Sequence, residues 1–133
     1  MSAGETDLER LLHTMSPTLT QGEYVFCSLP GAGYGDHATL EPIAMMREAE
    51  GLTLVVPRAR AEEAGIPFDG AFRCITLQVH SSLDAVGLTA AFAACLTDHG
   101  LSANVIAGYY HDHIFVQSAE AERALAALES LTR

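Results

Sequence analysis

Two stretches of this chain hold residues whose types and spacing suit chemistry. In the first, Ser81-Ser82-Leu83-Asp84-Ala85-Val86-Gly87 joins a β-like run, Phe72 to Val79, to a long apolar run that carries a helix-start signal. A strand feeding a helix through small residues leaves free backbone N–H groups at the positive end of the helix dipole. Both favour a small anion such as a carboxylate, so this stretch reads as a ligand site rather than a reaction centre. The second stretch is Tyr110-His111-Asp112-His113, with His80 elsewhere in the chain. Two imidazoles two residues apart invite a metal, yet on an extended strand His111 and His113 share a face and Asp112 points away. No cysteine or third neighbouring histidine completes a tetrahedral set. A hairpin turn with its rings at the surface and no metal is the better reading.

The remaining candidates carry less. Gly31-Ala32-Gly33-Tyr34-Gly35 has neither the spacing of a phosphate loop nor a following lysine, and reads as a flexible connection or lid. Cys27, Cys74 and Cys95 lie far apart in apolar runs, without a paired base, and read as buried reduced thiols. His13, His37 and His99 read as exposed or helix-end residues. Asn104 offers a donor or acceptor to a ligand, or simply bonds a neighbouring turn. No catalytic residue and no cofactor is assigned.

Composition narrows the class. The chain has 133 residues, of which 49% are apolar, enough for a buried interior without disulfides. Its formal charge is −10, from 17 acidic against 7 basic side chains, with no basic run. An electrostatic grip on nucleic acid or on an anionic membrane is therefore not expected. No stretch approaches the roughly 20 apolar residues of a membrane span, and the N-terminus lacks the pattern of a secretion signal. The expectation is a soluble, cytoplasmic protein.

The elements that must position these residues alternate. Thr6 or Asp7 can cap a helix bearing Leu8, Leu11, Leu12 and Met15, which ends at Ser16-Pro17. Glu23 to Leu29 reads as a strand. Ile43 to Arg47 and Leu52 to Val56 read as a hairpin, although Ile43 to Glu50 alone would also tolerate a helix, and Arg58 to Ala64 reads as a short helix stopped by Gly65. In the second half a strand starts at Phe72, with Ile75, Leu77 and Val79 on one face and Thr76, Gln78 and His80 on the other. A helix from Asp84 to His99 ends at Gly100 and is apolar nearly all round, which predicts cover on more than one side. Ala103 to Tyr109 and His113 to Gln117 form a hairpin around Tyr110-His111-Asp112. A final amphipathic helix carries Ala121, Leu125, Leu128 and Leu131. Strand, helix, strand, strand, helix is most of a ferredoxin-like unit, and the first half offers a similar order.

The residues from Phe72 to Leu88, together with His99 to Val116, resemble a small bacterial family of tandem ACT-like domains. Gly22 to Cys27 and Arg47 to Val56 extend the resemblance to the first half. It implies an α+β fold of two tandem ferredoxin-like (ACT-like) units, residues 1–70 and 71–133, each an antiparallel sheet covered by helices. Such domains are more distantly similar to the ACT halves of aspartate kinases and of animal cytosolic arginine sensors. The resemblance implies a small-molecule effector, an amino acid, bound at a domain or subunit interface, and a homodimer. Carried onto this sequence, the site is His80, Ser81, Ser82, Leu83, Asp84, Ala85, Val86, Gly87 and Leu88, with Asn104, Val105 and Ile106, and Asp112 on the hairpin. The expected function is a sensor or regulatory protein without catalytic activity. Two other readings stand beside it: a structural or protein-interaction domain with a vestigial site, and a metal-binding protein built on His80, His111, Asp112 and His113.

Overall fold

A computed structural model describes residues 8–78 and 87–132. The chain folds as two compact α+β units that do not follow chain order: residues 22–72 form one, and residues through Gln21 group with 73–133 in the other. The division expected after residue 70 falls beside the joint at 72 and 73, but the N-terminal 21 residues belong with the C-terminal unit.

In the unit of residues 22–72, β2 (Tyr24–Leu29) lies antiparallel to β4 (Gly51–Pro57), and β3 (Ala44–Glu48) pairs with the other side of β4. The β3–β4 register opposes Glu48 to Gly51, so Ala49 and Glu50 form a two-residue loop, as the hairpin pattern predicts. Helix α2 (Arg58–Ala64) follows β4 and stops at Gly65, whose N–H bonds the Glu62 carbonyl. The unit closes where Tyr24 opposes Phe72. Val25, Cys27, Leu52, Leu54, Val56 and Ala61 form its core, with Leu40 inserted from the loop after β2. A ferredoxin-like unit places a helix in that connection. Here Pro30 and three glycines oppose one, and the only helical turn within it is a 3-10 turn at Ala38–Leu40.

The other unit begins with α1 (Leu8–Thr14) and β1 (Pro17–Leu19) and continues with β5 (Phe72–Leu77), α3 (Leu88–Asp98), β6 (Asn104–Ala107), β7 (Asp112–Gln117) and α4 (Ala121–Ser130). Its strand order is β1-β5-β7-β6. Strand β1, which the sequence pattern did not disclose, pairs antiparallel with β5 through Pro17–Leu77, Thr18–Thr76 and Leu19–Ile75. It fills the place of the last strand of a ferredoxin-like unit, the one missing from the C-terminal pattern. Bonds from the Thr20 N–H to the Cys74 carbonyl (2.9 Å) and from the Gln78 N–H to the Ser16 carbonyl (3.1 Å) extend the ladder at both ends.

The core of this unit sets Ile75, Leu77, Ile114 and Val116 against Leu88, Phe92 and Leu96 of α3 and Ala121, Ala124 and Leu128 of α4. The Cys95 thiol donates to the Ala127 carbonyl at 3.2 Å and ties the two helices together. The cover on more than one side that the composition of α3 predicts is not found. Leu88, Phe92, Cys95 and Leu96 are buried, while Thr89, Ala90, Ala94 and Thr97 are exposed. Alanine explains the difference: it favours helix strongly and costs little in water, so an alanine-rich face needs no cover. The helix also begins at Leu88, later than expected. Phe92→Ala is expected to cost about 3 to 5 kcal/mol, and Ala94→Lys less than about 0.5 kcal/mol. Urea unfolding of the two variants checks this; a large loss in Ala94→Lys would mean that α3 is covered on its outer face.

Candidate functional site

Strand β5 is buried along its C-terminal half on both faces, because Thr76 as well as Ile75 and Leu77 is withdrawn from water. A buried hydroxyl needs a partner. Thr76 finds one in His113 at the start of β7, with Oγ1 and Nδ1 3.0 Å apart. This contact sets the β6–β7 hairpin tip beside the end of β5, the point from which the chain leaves for α3.

The tip is tightly built. The Gly108 N–H donates to the His111 carbonyl at 2.9 Å, closing the turn. A β-carbon on Gly108 would lie 2.9 Å from that carbonyl oxygen and 3.2 Å from His113 Nε2, so only glycine lets the turn press onto the ring. Tyr109 and Tyr110 project into water, their rings 5.0 Å apart and edge to face. Asp112 is the first residue of β7, opposite Ala107, rather than part of the turn. Burial pushes its carboxyl above the ordinary 3.8, against the pull of His113 and His111. His113 is half-buried rather than at the surface as its turn-like sequence predicts. Burial first, then the neighbouring His111, drives its pKa below 6.5, with Asp112 opposing. His111 Nδ1 is buried without a hydrogen-bond partner. Among the described residues, no three His, Cys, Asp or Glu side chains gather as a metal-holding group.

Of the expected site, His80, Ser81, Ser82, Leu83, Asp84, Ala85 and Val86 lie outside the described residues. Gly87 is the N-cap of α3, at φ +100°, a conformation that favours glycine. It has no side chain with which to cap the first turn of α3. Leu88 turns into the core. Asp112 opens β7 opposite Ala107, and Asn104 opposes Phe115, three residues and about 10 Å further along the hairpin. Its amide donates to the Phe115 carbonyl at 3.3 Å. Val105 packs against the core, and Ile106 is half-buried opposite His113. All three cysteines are free and buried, with burial as the first cause raising each thiol pKa. Sequence reasoning missed Thr76, because a threonine in a strand carries no mark of a buried partner.

The depressed His113 pKa gives a signed prediction. Its neutral form is favoured in the fold, so its contribution is complete above pH 6.5 and is lost as pH falls below that value. Asp112, raised, acts with the opposite sign just above 3.8. Thermal unfolding followed from about pH 7 to about pH 5.5 is expected to fall more steeply for the native chain than for His113→Gln. Equal slopes would show that the ring is solvated. Thr76→Val, which strands His113 Nδ1, is expected to cost about 1 to 3 kcal/mol in urea unfolding at neutral pH.

With this geometry in place, comparison with known proteins bears on the fold and its lineage. Family models described as ACT domain match residues 3–73 and 71–130. A Vibrio cholerae protein of unknown function, described as a possible transport protein, is 57% identical over 95% of this chain and 96% of its own, with a TM-score of 0.87. An Agrobacterium tumefaciens protein is 19% identical, with 89% of each chain covered and a TM-score of 0.73. The ligand-free regulatory subunit of Thermus thermophilus aspartate kinase is 12% identical, covering 90% of this chain and 99% of its own at a TM-score of 0.62. These last two share the fold. No curated protein matches the chain.

Proposed function

We propose that this chain, which belongs to the ACT-domain family, is a non-catalytic regulatory module that senses an amino acid at the N-terminus of α3. ACT domains are in general regulatory modules that bind amino acids, and a regulatory subunit of aspartate kinase shares this fold. One observation carries the reading for this chain: α3 opens on Gly87, which has no side chain to cap its first turn. The ligand carboxylate takes the N–H groups of that turn, favoured by the helix dipole. Residues His80 to Leu88 wrap it, and Asp112 faces the ligand ammonium, which stabilises the carboxylate that burial disfavours.

Strand β6 ends the order of its sheet. Its edge from Asn104 to Ile106 is the side on which a second copy closes the site, making the protein a homodimer. The unpaired thiols suit a reducing cytoplasm, and among the described residues no helix is long and apolar enough to cross a membrane.

A thermal-shift screen against the twenty amino acids tests the proposal. One of them is expected to raise the unfolding temperature saturably, equivalent to about 2.7 kcal/mol at a hundredfold excess over Kd. Gly87→Asp, which sets a carboxylate at the open helix end, is expected to abolish the shift, and the neutral Gly87→Asn to weaken it less. A flat screen together with flat calorimetry would overturn the reading.

A further inference from the structure

The missing helix of the unit of residues 22–72 leaves a space. Met45, Leu52 and Leu54 share one face of the β3–β4 hairpin, since Met45 opposes Leu54. Above them the loop after β2 does not close the surface, and a cavity of about 500 Å³ remains. That volume lies within the range of small-molecule sites, about 300 to 1,000 Å³. Its floor is apolar: Leu52 and Leu54 are almost fully buried, and Met45 and Ile43 are partly exposed within it. Its rim is different. Tyr34, 82% exposed, stands there with Asp36 and Glu41, and no lysine or arginine lines it.

The rim is held in place at a conformational cost. His37 (φ +65°) and Glu41 (φ +56°) are the non-glycine residues with left-handed backbone among those described, and they bracket the Ala38–Leu40 turn. Such strain persists only where the surroundings impose it, and it gathers at binding sites. Here buried Leu40 pins the turn from inside, and the Glu41 carboxylate is anchored 3.0 Å from Arg60 of α2. One Asp36 oxygen accepts the Gly33 N–H at 2.8 Å, which orients the carboxylate. Arg60 offsets the charge of Glu41, so Asp36 is the stronger anion of the two.

We propose that this cavity binds a small organic cation, an ammonium attached to a branched apolar body of a few carbons. The apolar body fills the floor, Asp36 and Glu41 meet the ammonium, and the Tyr34 ring covers it through its electron-rich face. The same two carboxylates repel a ligand that carries its own carboxylate. The site is therefore distinct in place and in charge preference from the amino-acid site proposed at α3, and does not rest on it.

Three probes with one apolar body separate the terms: isoamylamine carries only the ammonium, leucine both charges, and isocaproate only the carboxylate. Methyl NMR of the full chain follows Ile43, Met45, Leu52 and Leu54 during titration, with Leu88 reporting separately on α3. Isoamylamine is expected to shift the cavity methyls saturably, at least about tenfold more tightly than leucine, with isocaproate silent. Asp36→Asn, which keeps the acceptor for the Gly33 N–H, and Tyr34→Leu are each expected to weaken the amine about fivefold. Three results would overturn the proposal: equal or tighter binding of leucine or isocaproate, cavity methyls unmoved up to about 10 mM amine, or cavity methyls that move on dilution alone, which would mean that a second copy covers the surface.

Discussion

Strand β5 cannot stand as an edge in its own unit, and most of the C-terminal architecture answers that constraint. Its Cys74 to Leu77 stretch is buried, so each of its backbone polar groups needs a partner away from water. β7 supplies one side, and Pro17–Leu19 supplies the other from the distant N-terminus. The short strand is held beyond its own three pairs by the Arg73 guanidinium, which donates to the Thr20 carbonyl at 3.1 Å. Its consequences reach the core. Once β1 is docked, Met15 and Leu19 join the cluster around Phe92 and Leu128, so residues 15–19 are part of the core structure. The same pairing makes the unit discontinuous in sequence and raises the chain separation that folding must close.

A second consequence falls on Thr76. Its side chain is largely withdrawn from water, and its hydroxyl pairs with His113 of the hairpin. Partial burial then disfavours the charged form of that ring, and Asp112 is desolvated beside it. The electrostatics of the hairpin tip thus follow first from the burial of His113 and Asp112 themselves, and then from the charges of His111, Asp112 and His113 on one another.

Much of the fold was legible because local signals agreed with the tertiary outcome. The helix over Arg58–Ala64 coincides with its expected span, since Gly65 marks its end, and both hairpins form, the second with its turn moved from 110–112 to 108–111. The tandem ferredoxin-like pattern was legible for the same reason. Strand β1 was not: three residues after a proline are too few to display a period of two, and their pairing depends on residues nearly sixty positions away. The outer face of α3 was misread because hydropathy counts alanine as apolar while burial does not require it. The glycine at the start of α3 was legible as a break before a helix, whereas the cavity between Tyr34 and Leu54 was not. Glycine and proline announce that a loop will not be a helix, but not that the space left by the helix stays open.

The two units solve the same problem, the connection after a first strand, in opposite ways. In the C-terminal unit the connection ends in an eleven-residue helix whose buried face, Leu88, Phe92, Cys95 and Leu96, completes the core. What it leaves exposed is a face of alanine and threonine: Thr89, Ala90, Ala94 and Thr97. In the other unit Gly31, Gly33 and Gly35 prevent a helix, and one residue, Leu40, is sent into the core in its place. What remains exposed there is apolar, with Met45 at 39% and Ile43 at 50% exposure over a floor that a helix would have hidden. Exposed apolar surface of this kind is costly to leave uncovered in water and gains from an occupant. Whether an open apolar hollow remains in a unit is thus decided by whether the residues after its first strand can form a helix.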